Sequence, residues 1–411
     1  VTNRFDFGRE VVGASSLVCL IRVISFVAGF DSDPPRDAMR IAFTIQGQGR
    51  GHLTQAIAAS EILTDAGHEI VAVAAGSDPG RNDLPESFMD AFSVPVTVLA
   101  SPGFVFKDDR GVDLLGTLAN GVVHLPHWWR SLRALRRLLD ETRPDVVINF
   151  FEPLTGVLQA LRPLRVPVLS AAHQFALLGP RHGAPATSPV APLWLRAFIQ
   201  LVGFRSRKLA LSFRPDGAPT DVRDPVIIFP PLLRKHLLQL EPTHGDYVLV
   251  YVATHGYGEL VRAWHVEHPD VSLHCFYGRP GAPAVETVDA TLTFHQLDPE
   301  AFLEAMAGCR AVVCTAGFES ICEAAYLGKP VLMIPLENHH EQELNARDGE
   351  ASGVAIGHPT FDLNALERLP DHADNEWFRD WCRGAPGSLL STLDHMVQRP
   401  DVPEAAKRSI A

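Results

Sequence analysis

With 411 residues, the chain exceeds a single hydrophobic core and should form two domains of ordinary size. Its 46% hydrophobic and 20% charged residues describe a compact globular protein and exclude a disordered one. A formal net charge of -12 argues against nonspecific nucleic-acid binding, so no nucleic-acid partner is expected.

The first 38 residues differ from the rest. Val11 to Phe30 is mostly apolar but carries Arg22 at its middle, and Asp31-Ser32-Asp33-Pro34-Pro35 follows as a break. A spanning helix needs about 20 apolar residues and is penalised by a central charge, and Asp6 and Glu10 do not suit a signal peptide. Residues 1–38 are therefore expected to lie outside the fold. Val1 is then read as a GUG start codon translated literally, with Met39 as the true start; a membrane anchor is the rival reading.

From Met39 onward strands and helices alternate. Ile41 to Ile45, Glu69 to Ala74, Val96 to Leu99, Asp145 to Phe150 and Val166 to Ser170 are predicted strands, followed by Arg207 to Phe213 and Val226 to Phe229. A polar, proline-containing stretch from Leu240 to Asp246 reads as a hinge. The alternation then resumes with Tyr247 to Ala253, Val271 to Phe276, Ala311 to Cys314, Val331 to Ile334 and Val354 to Ile356. Short β-rich runs flanking amphipathic ones predict an α/β fold with parallel sheets and helices on both faces. The expected organisation is an acceptor-side domain over 39–240 and a donor-side domain with a helical tail over 241–411.

Two glycine turns punctuate this pattern, one per half, which suggests a cleft between two Rossmann-like domains. In the first, Gly47-Gln48-Gly49-Arg50-Gly51-His52 follows a strand and precedes a helix from Leu53 to Leu63. In the second, Thr315-Ala316-Gly317 leads into a helix opening on Phe318, Glu319 and Ser320. Such a helix start presents unpaired N–H groups and partial positive charge, which suits a phosphate. The six cysteines include no zinc-ribbon or redox CxxC spacing, and Cys309, Cys314 and Cys322 read as small core residues in a reducing, cytoplasmic protein.

The Gly47 to His52 loop resembles the GxGGH-type loop of MurG-like enzymes, the GT-B glycosyltransferases grouped in family 28. Cys314 to Glu323 with Gly328-Lys329-Pro330 and Ile334-Pro335 is similar to their donor-binding signature, and Glu341-Gln342-Glu343-Leu344-Asn345-Ala346 to the segment that closes it. The resemblance covers Met39 to Ile356; Arg50 replaces a family glycine, and the segment differs around His339-His340. It implies that Gly317 and the N–H groups around Phe318, Glu319 and Ser320 hold the diphosphate of a UDP-sugar, helped by Gly49 and Gly51. Glu323 would accept the ribose hydroxyls, and Glu341 and Gln342 would bind the sugar. Asn345 would orient the closing loop.

On the acceptor side, His52 is a candidate general base because imidazole titrates near neutrality. Glu152 and His173-Gln174 follow strand ends, where α/β ligands collect, and are candidate bases or acceptor ligands; a buried hydrogen-bonded acid is the other reading of Glu152. The implied reaction is inverting transfer of a hexose-type sugar to a hydroxyl, with no cofactor and no metal; the one Asp-x-Asp, Asp31 to Asp33, lies outside the predicted fold. His127 to Leu139 and Trp194 to Lys208 combine basic, aromatic and apolar residues, as peripheral contacts with anionic membranes do. They point to a lipid-linked acceptor, against the plainer reading of helices packed on the sheet. A nonhydrolysing nucleotide-sugar 2-epimerase and a non-catalytic sugar-nucleotide-binding protein share the architecture and stay open, as does the oligomeric state.

Overall fold

The computed structural model describes residues 38–78, 84–103, 106–107, 111–112, 114–178, 193–215, 226–252, 255–279, 281–336 and 339–398. The expected extension up to residue 37, with Asp31 and Asp33, lies outside the described residues, as does 399–411 of the tail.

The first half is built on β1 (Arg40–Gln46), β2 (Glu69–Ser77) and β3 (Val96–Ala100), a two-stranded hairpin of β4 (Phe106–Lys107) and β5 (Gly111–Val112), then β6 (Val146–Phe150), β7 (Val168–Ala172), β8 (Arg207–Leu211) and β9 (Val226–Phe229). Its main sheet runs β3-β2-β1-β6-β7-β8-β9, parallel throughout. Helices cover both faces of such a sheet, so its central strands are apolar without alternation. β1 is buried at every position after Arg40, and β6 and β7 at every position.

The second half repeats the plan with β10 (Val248–Val252), β11 (Leu273–Tyr277), β12 (Val285–Thr287), β13 (Leu292–Gln296), β14 (Ala311–Cys314), β15 (Val331–Met333) and β16 (Ile356–Gly357), in the order β12-β13-β11-β10-β14-β15-β16. Only β12 is antiparallel. Several expected strands start later than the sequence pattern placed them: β6 and β10 by one residue, and β16 by two, at Ile356. β7 begins at Val168, because Pro167 has no N–H to donate to a ladder, and β11 begins at Leu273. The β12–β13 pair was not expected.

Strand order reverses between β1 and β6 in one sheet and between β10 and β14 in the other. At such switch points neighbouring loops diverge and leave a crevice outside the strand carboxyl ends.

The linker is fastened to the second half: Thr243 N–H donates to the Ala307 carbonyl and Gly245 N–H to that of Gly308. The buried ammonium of Lys329 reaches the carbonyls of Thr243 and Cys309. The Gly328-Lys329-Pro330 segment thus serves the linker. Phe213, Phe229 and Leu232 share a core with Ile321, Phe378 and Leu389, and Trp381 Nε1 donates to the Ser212 carbonyl at 3.0 Å. The C-terminal helices, Glu376–Arg383 and Ala385–Gln398, therefore return toward the first sheet.

Candidate active site

The first glycine turn is tightly built. Gly47 donates its N–H to the Gly76 carbonyl at 2.9 Å, and a Cβ there would lie 2.1 Å from that oxygen. Gly49 has φ +86°, the left-handed region open to glycine. The helix Gly51–Asp65 then starts with no side-chain cap at Arg50, which leaves N–H groups of its first turn exposed to the crevice. His52 lies in that first turn, half-buried, with its ring stacked on Phe151 at 5.3 Å between centroids. Phe151 follows β6 directly and has φ 59°, a conformation rare for an aromatic residue and common at functional sites. Burial pushes the His52 pKa below the ordinary value, opposed by Glu341 and Gln55, which favours the neutral imidazole.

The second turn is looser. Gly317 has φ -78°, and its helix, Phe318–Tyr326, also lacks a side-chain cap. A Cβ on Gly317 would meet nothing closer than 3.8 Å. Neither backbone nor packing demands a glycine there; what its absent side chain preserves is space over the helix amino end. Asn345 Nδ2 donates to the Ala316 carbonyl at 2.9 Å, tying the turn to the helix His340–Ser352. The Phe318 ring is clasped from the first half, stacked on His173 at 4.2 Å and beside Phe213 at 4.7 Å. Ser320 Oγ turns back to the Gly317 carbonyl at 3.4 Å.

The two turns face each other. A Cβ built on Gly51 would lie 3.4 Å from Cγ of Glu319. Glu319 Oε1 accepts from Gln55 Nε2 at 2.6 Å, and Gln55 Oε1 lies 3.2 Å from His52 Nδ1. On the other side of the ring, Gln174 Nε2 lies 3.4 Å from His52 Nε2 and donates to Glu341 Oε1 at 2.9 Å. His52, Gln55 and Gln174 come from the first half, and Glu319 and Glu341 from the second. Burial pushes the Glu319 carboxyl up to about 8, with Gln55 countering and Glu323 reinforcing the rise. A mostly protonated acid adds little negative charge where a diphosphate would dock.

Other expected residues are engaged differently. Glu323 forms a buried ion pair with Arg234 at 2.7 Å, and Arg234 stands just ahead of the short helix Lys235–Gln239 of the first half. Gln342 Oε1 accepts from Leu336 N–H at 2.8 Å and so braces the loop leading to its own helix. Glu152 is fully buried. Its Oε1 accepts from Ser101 Oγ at 2.5 Å and caps the helix Pro153–Leu161 through Leu154 N–H at 3.0 Å. Its Oε2 would lie 2.1 Å from a Cβ at Gly76, so it is packed under the sheet edge, and burial raises its pKa to about 7. Gln55 and Arg234 were not foreseen. Gln55, one helical turn after His52, was open to inference from spacing, whereas Arg234 had no local sign.

Two Rossmann-like domains thus meet at their strand carboxyl edges, with an uncapped helix start opposite the His52 imidazole. The model of the family described as glycosyl transferase family 1 matches residues 39–370, and the chain belongs to that family. It is 27% identical over 394 residues to the UDP-N-acetylglucosamine--N-acetylmuramyl-(pentapeptide) pyrophosphoryl-undecaprenol N-acetylglucosamine transferase of Methylobacterium sp. (strain 4-46), covering 91% of this chain and 96% of that protein. It is 23% identical over 334 residues to an uncharacterized glycosyltransferase of Methanosarcina mazei, covering 77% and 85%. Among solved structures, the spinosyn forosaminyltransferase SpnP superposes with a TM-score of 0.55 at 17% identity, covering 88% of this chain and all of that one (100%). That likeness shows the GT-B fold expected from the sequence and, at this identity, the fold alone.

Proposed function

We propose that this glycosyltransferase moves a hexose-type sugar from a UDP donor to a hydroxyl acceptor with inversion, using His52 as general base and no metal. The observation that carries the reading is the His52 imidazole, neutral and linked through Gln174 and Gln55 to Glu341 and Glu319 of the donor-side segment. The acceptor oxygen attacks the anomeric carbon as its proton passes to His52, and the bond to the diphosphate breaks on the opposite face. Negative charge gathering on the leaving diphosphate meets the N–H groups of the Phe318 helix and those near Gly49 and Gly51. Arg50 adds a cation close enough to Tyr251 to oppose the rise that burial gives its phenol. Glu323 accepts the ribose hydroxyls with the oxygen that Arg234 does not hold, and Glu341 and Gln342 line the sugar side. Glu152 is assigned to the framework as a helix cap.

UDP is favoured by the name of the Methylobacterium relative. The same name, with its pyrophosphoryl-undecaprenol, supports a lipid-linked acceptor, which this reading places at the cytoplasmic face of a membrane. So do the exposed Leu193, Trp194 and Phe204, the last of them under the Arg205 guanidinium. Among the described residues no helix is long and apolar enough to cross a membrane; the contact proposed is a peripheral one.

The test incubates the full chain with UDP-N-acetylglucosamine or UDP-glucose and a crude lipid and glycan extract, and follows product by mass and by anomeric coupling in NMR. A glycoside of inverted configuration is expected. Donor isomerised without acceptor, or donor bound and never consumed, would replace this reading with the epimerase or the binding protein.

A further inference from the structure

We infer that Gln55 and Glu319 are positioning residues that set the tautomer of His52 across the interdomain cleft, with Gln174 and Glu341 acting in the same sense on the far side of the ring. The inference rests on the reading of His52 as the base and adds what makes it one.

A glutamine amide has two ends of nearly equal shape, and its partners decide which way it points. Glu319 Oε1 accepts from Gln55 Nε2 at 2.6 Å as the carbonyl oxygen of its carboxyl group, whose proton belongs on Oε2, and this leaves the Gln55 carbonyl oxygen facing His52 Nδ1 at 3.2 Å. A carbonyl oxygen only accepts. Nδ1 therefore carries the hydrogen, and in the neutral ring the lone pair falls on Nε2. The second arm reaches the same answer independently. Glu341 Oε1 takes a hydrogen from Gln174 Nε2 at 2.9 Å, and the same nitrogen lies 3.4 Å from His52 Nε2, where its second hydrogen needs a lone pair. Two amides, each oriented by a carboxyl group, specify one tautomer.

These carboxyl groups come from the other half of the molecule, 264 residues from Gln55 and 167 from Gln174. Separated halves would leave both amides free to turn. His52 thus becomes a competent base only when the donor-side helix is seated against its own, which ties the proton acceptor to domain closure. In the reaction the acceptor hydroxyl displaces the long Gln174 contact at Nε2 and delivers its proton there. The acceptor oxygen bonds to the anomeric carbon, and the electron pair of the broken bond leaves on the diphosphate. The resulting imidazolium keeps Nδ1–H on the Gln55 carbonyl, whose dipole stabilises it.

The experiment uses the full chain labelled with ¹⁵N-histidine, in which the His52 signals are those absent from His52→Ala. Two-bond ¹⁵N–¹H correlations near pH 7 should report hydrogen on Nδ1 in the wild type and a mixture or Nε2–H in Gln55→Leu. For Gln55→Leu and Glu319→Ala, kcat should fall about tenfold with donor KM changed less than about twofold, while Glu319→Gln, which keeps an accepting oxygen, should recover most of the rate. Wild-type His52 protonated on Nε2 would overturn the inference, and that spectrum needs no variant at Gln55 to fold. Unchanged kcat in Gln55→Leu would overturn it as well, while inactive His52→Ala would leave the base reading standing. Full activity in His52→Ala would bring down the base reading itself.

Discussion

The two glycine turns both lie at a switch point, one after β1 and the other after β14, yet their glycines answer different demands. Gly47 is glycine because the Gly76 carbonyl occupies the position of its Cβ, and Gly49 because of its positive φ. Gly317 has ordinary backbone angles and open surroundings. The first turn is shaped by packing and carries His52 stacked on Phe151, whereas the second leaves open space at its helix start. On the function proposed above, the same motif type divides into a catalytic side and a donor side, and that division is open to measurement.

The largest effect expected is on turnover. His52→Ala should lower kcat by about 10²- to 10⁴-fold while leaving donor KM nearly unchanged, as removal of a general base does. Initial rates across a range of donor concentration would check this, and a donor KM defect with intact kcat would break the division. Next come the glycines. Gly47→Ala should destabilise the fold by roughly 1–3 kcal/mol through a forced clash, visible as a drop of a few degrees in Tm. Gly317→Ala should keep stability within about 1 kcal/mol and weaken donor binding in calorimetry; equal Tm losses would erase the contrast. Glu323→Gln, which retains an acceptor for Arg234, should then raise the donor Kd about tenfold with a smaller change in kcat.

The smallest effect concerns pH. Glu152 and Glu319 hold protons in the fold up to about 7 and about 8, against an ordinary carboxyl value near 4.5. The folded chain therefore binds more protons than the unfolded one between these limits. Their contribution to stability is complete below about 4.5 and is lost as pH rises through 7 and 8. Denaturant titrations between pH 5 and 9 should show that decline, and Glu152→Gln with Glu319→Gln should flatten it.

Much of the site was legible because its parts are local. A strand, a glycine turn and a helix start are contiguous in Ile41 to Leu53 and again in Val312 to Ser320, and the apolar runs marked nearly every central strand. The β12–β13 pair escaped because an edge strand such as Val285-Glu286-Thr287 is short and partly exposed, with no apolar run to announce it. Glu319 was read only as a backbone donor, and Glu323 only as a ribose ligand. Their side-chain partners, Gln55 and Arg234, lie 264 and 89 residues away.

The amino-acid pattern alone determined two α/β halves, their glycine turns and the residues at the crevice edge, since propensity, periodicity and turn chemistry act over a few residues. Which glutamine meets which carboxyl and that Glu323 is held by an arginine were decided by the docking of one half against the other, and that Glu152 is sealed under Gly76 by the packing of neighbouring strand ends within the first sheet. Hydrogen-bond direction and desolvation depend on three-dimensional neighbours, and those exist only after the chain has closed on itself.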